Sequence, residues 1–184
     1  MSREDDFERL ALPHLDAAFT LAYWLMRSEA DAEDAVQDAM LRAFRSYGTF
    51  SGTAFKPWLL AIVRNCAYRA LARRRRSANV ISLDHAVEKG PQASALDVRD
   101  EAPTPEEHML RGADRQMIDR ALTALPESFR EVLVLREVEE LSYKEIASIV
   151  GVPAGTVMSR LARARRDLAA LIKSEMSKDE AHGL

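Results

Sequence analysis

Residues 55–76 read FKPWLLAIVRNCAYRALARRRR, and the fold predicted for the chain is built around this stretch. Pro57 suits the first turn of a helix. Apolar residues then recur at helical spacing and form one stripe, made of Leu59, Ile62, Val63, Cys66 and Ala70. The other side is polar and ends in four consecutive arginines. The stretch therefore predicts an amphipathic helix that packs on a core and frays near Arg76.

Positive charge is concentrated around this helix. Residues 51–80 contain seven Lys or Arg and no Asp or Glu, whereas the remaining residues contain 19 basic and 29 acidic side chains, and the net charge is −3. On the polar side, Arg64, Asn65 and Tyr68, with Arg69 beside them, combine positive charge for phosphates with planar and amide groups for bases. The stretch predicts a nucleic-acid surface. For Asn65, an exposed helix amide without a binding role is the alternative.

Two helices are predicted before it, over residues 7–26 and 31–45, because both segments place apolar residues at helical spacing. Ser28-Glu29-Ala30-Asp31 predicts a capping box for the second helix, and Ser51-Gly52-Thr53 follows as a helix-breaking loop. The exposed side of that second helix carries Asp31, Asp34, Gln37, Asp38 and Arg45. Together these segments predict a helical domain over residues 7–76.

Residues 77–112 differ in composition. They contain three Pro, seven acidic and three basic residues, and no sustained apolar period. This composition predicts a flexible linker. Asn79–Leu83 is the one stretch with any strand-like alternation.

Residues 113–173 predict a second small helical domain. Ala147, Gly151 and Val157 stand at the spacing of a helix-turn-helix, in which a small residue, a turn glycine and a packing valine are needed. Ser142-Tyr143-Lys144-Glu145 predicts a capping box before the turn. The last helix is expected from Ala154 to Ile172, followed by a loose tail. Its outward side chains are suited to bases and phosphates, and comprise Thr156, Ser159, Arg160, Arg163 and Arg166. The alternative is a solvated helix face with local ion pairs.

The bulk composition excludes several classes of protein. No apolar stretch reaches the length of a membrane span, and the acidic start does not resemble a signal peptide, so a cytoplasmic location is expected. The single cysteine, Cys66, excludes an internal disulfide and a cysteine-based zinc site, and the four His are scattered, so neither a metal nor a cofactor is expected. The sequence lacks a phosphate-cradling glycine loop, paired catalytic carboxylates and a nucleophile–base arrangement. An enzyme is therefore not expected.

Taken together, these segments resemble an extracytoplasmic-function (ECF) sigma factor, the smallest class of bacterial RNA polymerase specificity subunits. The motifs are DAEDAVQD at 31–38, LRAF at 41–44, WLLAIVRN at 58–65, LP at 125–126, YKEIA at 143–147 and GTVMSRLARAR at 155–165. Their order and separation carry the resemblance. A linker of about 35 residues also leaves no room for the extra domain of larger sigma factors.

The resemblance implies an all-α fold of two small helical domains, the sigma region 2 bundle and the region 4 helix-turn-helix, joined by the linker. It implies that Asp34, Gln37 and Asp38 dock on core RNA polymerase. A helix cap and an Asp38–Arg42 ion pair are the alternative for this acidic face. The partners implied are the core polymerase, promoter DNA and an anti-sigma factor.

For promoter DNA, the resemblance implies two sites. In region 2, the loop with Ser51, Gly52 and Thr53 would capture a flipped −10 base, and the helix residues Arg64, Asn65, Tyr68 and Arg69 would contact the unpaired strand. In region 4, Thr156, Ser159, Arg160, Arg163 and Arg166 would contact the −35 duplex.

Two features depart from the family pattern. Met158 stands where the family often has Lys or Arg, and the −10 loop is slightly short. Trp58 is expected in the core rather than as a base platform, and Cys66 is expected to be buried. The rival functions are a self-contained helix-turn-helix regulator and a protein-interaction scaffold.

Overall fold

The structure is a computed structural model, and it describes residues 3–52, 54–81 and 105–182. Within these ranges the regular structure is helical, which confirms the all-α prediction. The helices are α1 (Arg3–Ala11), α2 (Leu15–Met26), α3 (Glu29–Ser46), α4 (Phe55–Ile81), α5 (Pro105–Ala124), α6 (Glu127–Leu133), α7 (Tyr143–Val150) and α8 (Ala154–His182). Short 3-10 turns cover Leu12–His14 and Tyr47–Thr49, and a π-helical turn covers Val134–Val138.

Helices α2, α3 and α4 pack against one another and form the first domain. The side of α3 that faces them is lined with buried alanines, namely Ala32, Ala35, Ala39 and Ala43. Because alanine carries only a methyl group, the neighbouring helices can approach closely along this face. Leu21 on α2 and Leu59 and Val63 on α4 are fully buried in the same core. The apolar spacing of the sequence therefore predicts the correct inner faces.

An aromatic cluster fixes the start of α4 and the loop before it. Phe7 contacts Phe44 edge to face with ring centroids 5.4 Å apart, and Phe50 lies 4.9 Å from Trp58. Phe55 contacts Trp58 at 5.2 Å. Such ring pairs add stabilisation beyond their buried area. Trp58 is half-buried in this aromatic cluster and packs against the core rather than within it.

The second domain contains α5 to α8, and α7 and α8 form the helix-turn-helix. Gly151 ends α7 with a φ of +75°, and no atom lies within 4 Å of where its Cβ would be. The left-handed backbone, not lack of space, is therefore what requires glycine at this turn. Val157, Leu161 and Ala164 are buried on the inner side of α8.

The two predicted capping boxes differ in outcome. At α7, Ser142 Oγ accepts from the Glu145 N–H at 3.3 Å, and the Ser142 N–H donates to the Glu145 carboxylate at 2.8 Å, so the box is complete. At α3, Ser28 Oγ accepts from the Asp31 N–H at 3.4 Å. This bond is one half of a capping box. The Asp31 carboxylate, which would form the other half, pairs with the Arg74 guanidinium of α4.

Several helices are longer than predicted. Helix α4 continues past Arg76 to Ile81, so residues 79–81 are helical and not extended. Helix α8 continues past Ile172 to His182, where an ion pair between Arg120 of α5 and Glu175 holds part of it at 3.3 Å. The α8 extension, KSEMSKDEAH, is rich in residues that favour helix, and neither extension contains a glycine or proline that would stop it. Helix α5 begins at Pro105, so helices enter both ends of the range 77–112 predicted as linker, whereas residues 82–104 lie outside the described residues.

The two domains contact each other along α4. Helix α4 packs on α7, and α2 packs on α6. Leu60 and Ala67, which lie outside the predicted apolar stripe, are fully buried, consistent with a second contact face on α4. Of the helices that the structure describes, none combines the length and apolarity needed to cross a lipid bilayer.

Candidate nucleic-acid interface

Helix α4 presents three sides, which follow from its 3.6-residue period. One side carries the buried stripe with Leu59 and Val63. A second side runs through Lys56, Leu60 and Arg64 and meets the second domain. The third side is exposed. The polar residues predicted to contact DNA are therefore divided between two sides of the helix.

Arg64 lies on the side that meets the second domain. Its Nε donates to Oε1 of Glu131 on α6 at 2.5 Å, and its Nη2 donates to Oε2 at 3.5 Å. The Glu131 side chain is only 1% exposed, whereas that of Arg64 is 21% exposed. Burial raises the pKa of Glu131, and the positive charges of Arg64 and Arg160 oppose that rise. The pair is thus a largely desolvated contact between the domains.

Tyr68 lies one turn further along the same side. The guanidinium of Arg64 stacks over its ring, 4.7 Å from the centroid. Burial, and secondarily the charge of Glu131, raise the pKa of Tyr68 to about 12. The phenol therefore remains neutral and is half-buried between the two domains, which leaves it unavailable to stack on a base in this arrangement.

Asn65 and Arg69 lie on the exposed side of α4. Ala72 and Arg76 continue this side in the helical period and are exposed as well. An amide and two guanidinium groups along one open helix side are suited to an extended single strand. This side is the part of the predicted −10 site that the structure leaves accessible.

The loop before α4 is open at its tip. Ser51 and Gly52 are exposed, and Thr53 lies outside the described residues. At the end of the loop, Lys56 Nζ lies 2.9 Å from Oε2 of Glu139 and donates to the Glu139 backbone carbonyl at 3.0 Å. The second domain therefore also binds the positive charge nearest the loop.

On α8, the predicted −35 residues follow the outward side of the recognition helix. Ser159, Arg163 and Arg166 are exposed, whereas Thr156 and Arg160 are half-buried. Ser159 Oγ donates to the Thr156 carbonyl at 3.0 Å, and Arg166 pairs with the adjacent Asp167 at 3.2 Å. Met158, the departure from the family pattern, is 54% exposed.

The acidic side of α3 is accessible. Asp34 and Gln37 are exposed, and Asp38 is half-buried. The predicted Asp38–Arg42 ion pair is present at 2.9 Å, and the Arg42 hydrogen bond lowers the pKa of Asp38. Water screens exposed pairs of this spacing, so they contribute little and the pair does not preclude a role in docking. Cys66 faces this region from α4 and is buried, as predicted.

Sequence reasoning missed the residues that join the two domains. Glu131, Glu139 and Asp119 pair with basic residues that lie 67, 83 and 92 positions earlier in the chain. The spacing of residues within one helix gives no information about contacts between residues so far apart in the chain. The signal in the sequence is a glutamate at position 131 directly before the apolar run Val132-Leu133-Val134-Leu135, where an unpaired charge would be costly.

Two family models match the chain. Sigma-70 region 2 matches residues 10–77, and Sigma-70 region 4 matches residues 115–168. The first match contains α2, α3 and all but the end of α4, and the second contains the helix-turn-helix.

Curated proteins that are similar in sequence to this chain are named as RNA polymerase sigma factors. The chain is 36% identical over 165 residues to the ECF RNA polymerase sigma factor SigE of Mycolicibacterium smegmatis, an alignment that covers 88% of this chain and 60% of that protein. It is 40% identical over 139 residues to the ECF RNA polymerase sigma-E factor of Escherichia coli, covering 73% and 70%. It is 34% identical over 163 residues to the RNA polymerase sigma-H factor of Pseudomonas aeruginosa, covering 86% and 82%.

Two solved structures are similar in fold to this chain. The sigma factor RpoE of Bartonella quintana, co-crystallised with the anti-sigma factor NepR, matches with a TM-score of 0.75 and 28% identity over 91% of this chain and 97% of that one. CnrH, in complex with the cytosolic domain of CnrY, matches with a TM-score of 0.63 and 26% identity over 93% and 90%. The matches of both family models, and relatives such as the 40% identical sigma-E factor of Escherichia coli, show that the chain belongs to the ECF sigma factors of the sigma-70 family.

Proposed function

We propose that this sigma factor binds core RNA polymerase in the cytoplasm and directs promoter-specific transcription initiation, without catalytic activity of its own. The observation that carries the proposal is the presence of a region 2 match and a region 4 match in one chain, in that order. Each match contains a helix with an exposed polar or basic side. A protein with two such helices can contact two separate promoter elements at once.

The proposed polymerase-binding surface is the acidic side of α3. Asp34 and Gln37 are exposed, and Asp38 lies one turn beyond Asp34. Carboxylate and amide groups on one rigid helix side can recognise a basic, hydrogen-bonding partner helix and fix its register. The buried alanines on the opposite side of α3 hold it firmly on its own domain.

The proposed −10 site combines the loop tip with α4. Ser51, Gly52 and Thr53 would accommodate a base extruded from the duplex, an event that costs a few kcal/mol and is repaid by contacts to the unpaired base. Asn65 would contact a base edge, and Arg69 the backbone. Arg64 and Tyr68 belong to the site once the second domain has moved away from them.

The proposed −35 site is the outward side of α8. A recognition helix enters the major groove and contacts base edges with side chains near its N-terminus. Arg160 and Arg163 are suited to guanine or phosphate, and Thr156 and Ser159 to either base or phosphate. Arg166, further along the helix, would contact the backbone.

We propose the domain limits 7–76 for region 2, 77–112 for the connecting segment and 113–173 for region 4. We also propose an anti-sigma factor as regulator, because the sigma factor RpoE matched above was co-crystallised with the anti-sigma factor NepR.

Run-off transcription with purified core polymerase tests the proposal. The expected result is transcription from a defined start site that depends on this chain and on both promoter elements. Specific duplex binding without core, and no stimulated transcription with it, would instead assign the chain to the helix-turn-helix regulators. The absence of salt-dependent DNA binding would point to an interaction scaffold.

A further inference from the structure

We propose that Met158 of α8 contacts the 5-methyl group of a thymine in the −35 duplex, and that this contact makes the chain select an A·T pair at one fixed position of the element. The proposal deepens the −35 site described above and rests on it. It adds an apolar, base-reading side chain to a proposed set that otherwise consists of hydroxyl and guanidinium groups.

Met158 is a large apolar side chain that the fold leaves in solvent. It is 54% exposed, whereas its helix neighbours Val157 and Leu161 are 0% and 1% exposed. Within the described residues, it belongs neither to the hydrophobic core nor to the apolar side chains packed against that core. A single exposed apolar residue is ordinary on a protein surface. The position of Met158 on its helix is what gives the exposure a meaning.

Met158 lies near the start of the recognition helix. Helix α8 begins at Ala154, so Met158 is in its second turn, within the part of a recognition helix that contacts base edges. At 3.6 residues per turn, Ser159 lies about 100° around the helix from Met158, and the buried Val157 lies about 100° in the opposite direction. Met158 is therefore at the edge of the outward side and continuous with the proposed −35 surface.

The residues beside Met158 on this side of the helix are small. Gly155 precedes it by three positions and Ala162 follows it by four, which makes them its neighbours on the helix surface, and both are exposed. No atom lies within 4 Å of the place that a Cβ on Gly155 would occupy. The Met158 side chain therefore projects beyond its neighbours, and a base edge that approaches this side of α8 meets it first.

The outward side of α8 is divided by chemistry. Arg163 and Thr156 lie beyond one edge of Ser159, and Met158 and Ala162 lie beyond the other. The guanidinium and hydroxyl groups are suited to phosphates and base acceptors, and such contacts fix the orientation of a helix in the groove. Met158 carries no charge and no hydrogen-bond donor, so it is not suited to a phosphate.

The apolar feature of the major groove is the methyl group of thymine, whereas the other distinguishing groups on the base edges are donors and acceptors. A thioether side chain that covers a polar edge removes water from donors or acceptors without replacing the lost hydrogen bonds, which is unfavourable. Against a methyl group, the same contact removes apolar surface from water on both sides. Because methionine is unbranched and flexible, its side chain can adjust to the position of that methyl group.

Deoxyuridine tests the contact, because it differs from thymidine only by the absence of this methyl group. The full-length chain with core polymerase first selects its −35 sequence from a library of promoter duplexes that are randomised over this element. Each thymine of the selected element, on either strand, is then replaced in turn by deoxyuridine, and competition binding measures the affinity of the holoenzyme. We expect one of these replacements to weaken promoter binding by about fourfold, as for the loss of one buried methyl group.

The variant Met158→Ala separates a methyl contact from a general effect of deoxyuridine on the duplex. At the sensitive position, we expect this variant to bind the thymidine and deoxyuridine duplexes equally. The matched control is Met176→Ala, the same change at a methionine that is 51% exposed further along α8. The control should keep the fourfold preference for thymidine. Circular dichroism verifies the helicity of both variants.

The remaining outcomes distinguish the possible failures. A selected element without thymine, or an equal methyl effect in the unmodified chain and in Met158→Ala, would overturn the role of Met158 and leave −35 recognition by the other residues intact. A binding defect of Met158→Ala that is the same on every duplex would assign this side chain to a protein contact instead. If the holoenzyme selected no −35 sequence at all, the proposed function would fail, and this inference with it.

Discussion

Arg64 and Arg69 lie on the same helix, five positions apart, yet only Arg69 is exposed. The Arg64 guanidinium donates to the buried carboxylate of Glu131 at 2.5 Å and is 21% exposed, whereas Arg69 lies on the open side of α4. Two arginines that look equivalent in the sequence therefore have different electrostatic partners in the free chain.

This difference predicts different salt dependences for single-strand binding by the free chain. Arg69→Ala should reduce the slope of log affinity against log salt by about 0.7, the value expected for one lost phosphate contact. Arg64→Ala should not reduce the slope, because Glu131 already neutralises that cation in the free chain. Anisotropy titrations at several salt concentrations measure both slopes. Equal reductions of the slope in the two variants would show that Glu131 does not neutralise Arg64 in the free chain.

The sequence predicted the fold well because the relevant signals are local. The apolar period that contains Leu59 and Val63 marks the correct inner side of α4, and the Ser142–Glu145 box marks the start of α7. Helix ends were predicted less well. At Arg76 and Ile172 nothing in the sequence stops the helix, since neither glycine nor proline follows at once, and both helices continue.

The candidate site was predicted only in part, for a different reason. Residue type identified Arg64, Asn65 and Tyr68 as suited to nucleic acid, but the division of these residues between two sides of α4 depends on the second domain. That division is decided by contacts such as Arg64–Glu131, which join positions 67 apart. A helical period assigns the side of a residue, but it does not reveal which other element covers that side.

Charge reversal on α3 should weaken binding to core polymerase. Asp34→Lys changes an exposed carboxylate without breaking an ion pair to Arg42, so the fold should be unaffected. We expect affinity for core to fall by about tenfold or more, as for charges at complementary interfaces. The matched control is Glu8→Lys, the same change at an exposed position of α1. Fluorescence competition for core measures both, and equal affinities would remove Asp34 from the docking surface.

The thiol of Cys66 should be unreactive in the folded chain. Burial raises its pKa from 9.0 to about 11, with a further contribution from the Asp38 charge, and the side chain is 2% exposed. Below the ordinary thiol pKa, this shift lowers the thiolate fraction about a hundredfold, and the thiolate is the reactive form. Ellman's reagent at mildly alkaline pH should react slowly with the native chain and rapidly in urea. Rapid reaction of the native chain would show that the thiol is accessible.

Arg160→Ala should relax recognition of the −35 element. Loss of a base-contacting arginine typically costs about 1–3 kcal/mol of discrimination. Arg165→Ala serves as control, because Arg165 pairs with Glu137 at 2.6 Å and lies outside the proposed DNA-facing set. Run-off transcription from promoters with single −35 substitutions reports the discrimination. Unchanged promoter preference in Arg160→Ala would refute its assignment.

Asn65→Ala should impair promoter opening more than closed-complex formation. The Asn65 amide is exposed on the open side of α4, so its removal leaves the core intact. A base-edge contact forms only after the base is unpaired, and its loss should therefore reduce the open fraction, by about tenfold for a contact of typical strength. Permanganate reactivity of unpaired thymines measures opening, and footprinting of the duplex measures the closed complex. Arg69→Ala is the matched comparison, since loss of a phosphate contact on the same side should weaken both steps. Normal opening by Asn65→Ala would assign that amide to the solvated helix surface.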